Sequence, residues 1–239
     1  MADNRLHLQH GPIDIIAHVD APEEVRKRLY STASHRFSTV LEELVAEMDL
    51  LKQPWSADLP DSKGGIAQKM CFAVRGSDIF VTPMAAVAGA VADEMLETML
   101  FEAQKPDSCV EHIHRMYVNN GGDIAFWLNT GESFSIGVVD NPGIPELNAR
   151  VSLAYESPVR GIATSGWRGR SLSLGIADAV TVLLDIATRS LPRTVTDRAH
   201  ELAHQAACDA RARHETERRR REEEQRHKAS DKNSRPDSK

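Results

Sequence analysis

Four short stretches carry residue types that could do chemistry. The first is Asn119-Asn120-Gly121-Gly122-Asp123, set between a valine strand end and an apolar run. Gly121 and Gly122 permit positive φ and bare the backbone N–H groups, which can cradle an anion. Asp123 could cap the turn or hold a metal. A Gly-Gly hairpin joining two strands is the plainer reading of the same residues. The second is TPMAAVAGAVAD, where Gly89 sits inside a helix at a cost of about 1 kcal/mol relative to Ala. That cost fits close packing or the approach of a ligand. Asp93 follows one turn later on the same face.

The third stretch, GIATSGWRGR, places Thr164, Ser165 and Gly166 at a strand end, with Arg168 and Arg170 behind them. Guanidinium forks suit phosphate, although a polar turn explains the same composition. In the fourth, IADAVTVLL, Asp178 and Thr181 interrupt an apolar segment at i and i+3. On a helix they share a face and could hold a hard cation such as Mg²⁺. Asp178 could equally answer the dipole of the helix start.

Taken in order, AVAGAVAD, NNGGDI, GIATSG and ADAVT over residues 78–190 resemble the ApbE superfamily, the FAD:protein FMN transferases. The resemblance implies a flavin-nucleotide pocket lined by Gly89, Asp93, Asn120, Gly121, Gly122, Asp123, Thr164, Ser165, Gly166 and Arg168. It implies Mg²⁺ beside Asp178 and Thr181, with Asp178 as catalytic ligand or base, and an ApbE-like (T-fold-like) fold. Ala88 stands where that family has a lysine, and its H-x-x-D-P-x-T-G segment is absent. The pattern is similar to a short branch of the superfamily. That branch implies a second reading: an accessory or biosynthetic factor in sulfur (homocysteine) or pterin-linked one-carbon metabolism.

The elements that must position these residues follow from periodicity. Residues 13–19 alternate as a strand, and 22–51 carry apolar residues at helical spacing behind Pro22 and two acids. A short helix is expected over 66–76, a strand over 78–84 and a helix over 85–104. Strands are expected over 112–118, 123–128, 133–139 and 149–157, a strand–turn–strand unit over 161–175, and a helix over 176–191. Without strict strand–helix alternation, the fold class is α+β, with a mixed or antiparallel sheet packed by helices. One domain is expected over 1–195 and a charged helical extension over 196–239, disordered at its end.

Charge and composition narrow the function classes. The chain of 239 residues has a net charge of −6. Residues 211–239 hold eleven basic and seven acidic residues, so the remainder has eighteen basic against twenty-eight acidic. A body this acidic repels phosphate backbones, which argues against nucleic-acid partners. No apolar run approaches the roughly 20 residues that span a bilayer, and no leader pattern opens the chain. Cys71, Cys109 and Cys208 stand far apart, as expected for reduced thiols in the cytoplasm. His112 and His114 could share a strand face as a metal pair, and Cys71 could act as a nucleophile. The expected partner is a small nucleotide-like molecule, and a homo-oligomer is left open.

Overall fold

The computed structural model describes residues 4–76, 80–105, 110–138, 149–165 and 180–184. Strands β1 (Leu6–His10) and β2 (Ile13–Asp20) form a hairpin, followed by helices α1 (Glu23–Ala46), α2 (Met48–Leu51) and α3 (Gly65–Ala73). A 3₁₀ turn (Pro83–Ala86) leads into α4 (Val87–Ala103), and a second (Val110–His112) precedes β3 (Arg115–Asn120) and β4 (Asp123–Leu128). Then come β5 (Ser133–Val138), β6 (Ala149–Ala154), β7 (Gly161–Ser165) and β8 (Val180–Leu184). The class is α+β with an antiparallel sheet, as the order of elements in the sequence leads one to expect.

Six strands pair in the order β1-β2-β3-β4-β7-β8, and β5 pairs with β6 in a separate ribbon. Every pairing among the described strands is antiparallel. Alternation decides which side chains face which layer. Ile13, Ile15, Ala17 and Val19 of β2, with Met116 and Val118 of β3 and Ala125 of β4, join one core with the helices. From α1 this core takes Leu29, Phe37, Val40 and Leu44, and from α4 Val91, Met95 and Met99. Each such side chain contributes about 1.5–3 kcal/mol when fully buried. The opposite face of β4 and β7, with Phe126, Leu128 and Ile162, packs under Leu153 and Phe134 of the β5–β6 ribbon. The central sheet is therefore covered on both faces where β4 runs.

Helix α1 starts directly after Pro22, whose carbonyl accepts from Arg26 N–H at 3.0 Å. Glu23 and Glu24 occupy the first turn, where negative charge complements the helix dipole. The amphipathic spacing over 22–51 is realised as α1 and the single turn of α2.

The structure departs from sequence expectation at four places. Residues 80–82 are not a strand, and Pro83 opens a 3₁₀ turn. Proline lacks the N–H of a ladder partner and has its φ preset for a first helical position. The segment 180–184 is not helical; it is β8, paired to β7. Its β-branched run Val180-Thr181-Val182 fits a pleated sheet better than a helix. Strand β3 starts at Arg115, and His112 closes a 3₁₀ turn instead. Strand β1 was not anticipated; its Leu6 and Leu8 pack on the helix-side core. The expected extension over 196–239 lies outside the described residues. No described helix is long and apolar enough to cross a membrane.

Candidate functional site

The Gly-Gly motif closes β3 onto β4. Asn120 pairs with Asp123 across Gly121 and Gly122, whose φ values are +64° and +110°. Positive φ at both central residues is the type I′ hairpin pattern, whose twist matches that of the flanking strands. The Gly122 N–H donates to Asn119 Oδ1 at 3.0 Å, so the turn uses this donor internally. Nothing lies within 4 Å of where a Cβ on Gly121 would sit, so that side of the turn is open.

Helix α4 holds the hairpin in place. Asn120 is 8% exposed and sits on the helix face of the sheet. Its Nδ2 donates to the Ala88 carbonyl at 3.1 Å, in the first turn of α4. A Cβ on Gly89 would lie 3.8 Å from Asp123 Oδ2. The small residues at the start of α4 thus let the helix approach the β4 strand start closely.

One turn further along α4, Asp93 lies largely out of water. Burial raises its carboxyl from 3.8 to about 7, the nearby Lys69 charge opposing and Glu97 reinforcing the rise. The carboxyl has no hydrogen-bond partner among the described residues. Beside it runs an ion network that the sequence reading did not single out. Arg36 of α1 donates from Nε to Glu94 at 2.9 Å and from both Nη atoms to Glu43 at 2.8 Å. Lys69 of α3 donates to Glu94 at 2.7 Å and to Glu97 at 2.9 Å. Burial alone would lower Lys69, but its two carboxylate bonds outweigh it and raise the pKa. Burial alone would raise Glu94, yet Lys69 and Arg36 hold it below the usual carboxylate range. The i, i+3 spacing of Glu94 and Glu97 was the available signal.

The remaining strands bring further residues to the same end of the sheet. Ile124 and Ala125 pair with Ile162 and Gly161, so β7 runs on past the start of β4 and along the hairpin. Thr164 is the register partner of Thr181, and Ser165 of Val180. The structure therefore gathers Gly89, Asn120, Gly121, Gly122 and Asp123, with Asp93 one helical turn away. Thr164, Ser165 and Thr181 lie at the same sheet end. Gly166, Arg168 and Asp178 lie outside the described residues.

Two expected arrangements do not form. Thr181 is on a strand, so the i, i+3 spacing from Asp178 no longer defines a shared helix face. His112 and His114 are not a strand pair; His114 Nδ1 instead lies 3.1 Å from Glu132 Oε1. No group of three His, Cys, Asp or Glu side chains among the described residues converges as a metal set. Cys71 lines a separate cleft, and no histidine is among the lining residues.

Comparison with known proteins places this architecture in a family. The family model described as AbpE bacteria matches residues 1–190. A UPF0280 protein of Methanothrix thermoacetophila is 36% identical over 129 residues, which are 53% of this chain and 48% of that protein. A UPF0280 protein of Methanosphaerula palustris is 33% identical over 171 residues, 70% of this chain and 64% of the relative. The chain thus spans about half of one curated relative and just under two thirds of the other. These matches overturn the resemblance to the ApbE superfamily of FAD:protein FMN transferases. The matched family is a different one, and neither match connects the chain to flavin transfer. The chain belongs to the AbpE bacteria family.

Proposed function

We propose that this chain binds a small phosphorylated metabolite at the sheet end framed by the β3–β4 hairpin and the start of α4, with flavin nucleotides the first compounds to test. The observation that carries this reading is the bare backbone at Gly121, open on one side and fixed beside Asp123 and Gly89. Such a surface lets a ligand come to contact distance where a side chain would block it. Asp93 adds a carboxyl that is half protonated near neutrality. In its neutral form it can donate a hydrogen bond to a phosphate oxygen, which a carboxylate cannot do.

The described residues do not supply a resident metal set. Mg²⁺ would arrive with the ligand, bound by its phosphate oxygens and by water, and would offset repulsion from Asp123. We assign binding and no reaction, which accommodates an accessory or biosynthetic role. The three separated cysteines suit the reducing cytoplasm, where we place the protein.

Calorimetric titration with FAD, FMN and ATP, each with Mg²⁺ and with EDTA, tests the reading. At least one compound is expected to bind more tightly with Mg²⁺. Gly121→Val should weaken it at least about tenfold, a loss of about 1.4 kcal/mol, in a protein whose circular dichroism is unchanged. A folded Gly121→Val with wild-type affinity, or no binding by any phosphorylated compound, would remove this sheet end as the site.

A further inference from the structure

A second concavity lies away from the hairpin, between the loop over residues 52–62 and α3. It has a volume of about 380 Å³, within the range of small-molecule sites. Trp55 and Phe72 line it together with Arg75, Asp61, Ser62 and Cys71. Phe72 is 45% exposed, so its ring is accessible to a ligand in the cleft.

The walls are fixed by backbone anchors. Glu47, at the end of α1, accepts from Lys63 N–H at 2.8 Å and Gly64 N–H at 2.6 Å. A Cβ on Gly64 would sit 2.9 Å from that carboxylate, so glycine is what lets the clamp close. The Trp55 N–H donates to the Val81 carbonyl at 2.8 Å. Gln68 of α3 donates from Nε2 to the Ser62 carbonyl at 3.1 Å. A loop tied near its start and at its end loses little freedom on binding, which favours affinity.

The lining chemistry selects the ligand. Trp55 and Phe72 offer aromatic surface to a planar apolar group. The Arg75 guanidinium has no side-chain partner among the described residues, and a guanidinium fork matches a carboxylate. Asp61 on the same lining disfavours additional negative charge, which discriminates against nucleoside di- and triphosphates. The geometry points to this cleft as a binding site for a planar aromatic compound bearing a single carboxylate, distinct from the hairpin site.

Cys71 provides a reporter inside the cleft. In a full-length Cys109→Ser, Cys208→Ser protein, the rate of Cys71 modification by a disulfide reagent is measured with indole-3-acetate, tryptamine or neither. Indole-3-acetate is expected to slow the modification, and tryptamine, with the opposite charge, is expected not to. Arg75→Gln should weaken the protection at least about tenfold, because a hydrogen bond to a charged group is lost. Phe72→Ala, at an exposed position, should weaken it while the fold is retained. Equal protection by tryptamine, or protection unchanged in folded Arg75→Gln, would overturn the carboxylate assignment. No protection at millimolar indole-3-acetate would overturn the site.

Discussion

Replacing Asp93 with Asn should stabilise the protein in a pH-dependent way. Burial holds the folded carboxyl at about 7 against an ordinary 3.8. Between those values the folded state keeps a proton that the unfolded chain has released, so stability falls as pH rises through that window. At 1.36 kcal/mol per pH unit, the full penalty above pH 7 is of order 4 kcal/mol. Roughly 2.5 kcal/mol of it develops between pH 5 and pH 8. Asparagine has the shape of the protonated acid and carries no charge at either pH, and Lys69 keeps Glu94 and Glu97 as partners. Urea denaturation of both proteins at pH 5 and pH 8 reads the effect. The variant-minus-wild-type difference should grow by about 2.5 kcal/mol at the higher pH, or roughly 5–10 °C in melting temperature. Taking the difference matters because His18 works in the opposite sense. Burial lowers its pKa below 6.5, so the stability it supports above pH 6.5 is lost on acidification. A difference that stays constant from pH 5 to pH 8 would show that Asp93 is an ordinary solvated carboxylate, and the proton-donor role at the hairpin site would fall with it.

Two further substitutions separate local causes. Gly121→Val should cost about 1–2 kcal/mol, because φ of +64° is strained for any residue with a Cβ, while Gly121→Asn should cost less than about 1; equal melting temperatures for the two would refute the backbone explanation. Glu94→Gln should cost about 2–3 kcal/mol by weakening its bonds to both Arg36 and Lys69, and Glu97→Gln only about 1, since Lys69 retains Glu94; denaturation curves that rank the pair the other way would place the strength of the network at Glu97.

Local rules served well where one element has one strong periodicity. The spacing of Leu29, Phe37, Val40 and Leu44 gave α1, and the alternation of Ile13, Ile15 and Val19 gave β2. They failed where two periods compete. Residues 180–184 carry apolar side chains at helical spacing and also a β-branched run, and pairing with β7 decides in favour of the strand. Strand β1 is five residues long, too short for its alternation to stand out, and it exists because β2 offers an edge. At the candidate site, the positive-φ turn was legible from Gly-Gly alone. That Asn120 would reach Ala88, and that Asp93 would lie largely out of water, depended on how α4 lies across the sheet. No spacing within either segment encodes that.

The pairing of β2 with β3 has a consequence for how the chain is made. Asp20 and Arg115, joined by an ion pair across these strands, are 95 positions apart. A ribosome delivers β2 long before its inner neighbour exists. During that interval the inner edge of β2 is open and the hairpin bares an apolar face, the features that template association between chains. Helix α1 follows immediately and buries that face with Leu29 and Phe37, whereas the edge must wait for β3. Closing so long a loop is slow relative to forming the helices. The vulnerable species in synthesis is therefore a nascent hairpin capped by α1, and the residues that set its fate are the edge positions Ile16 and His18, not those of either site.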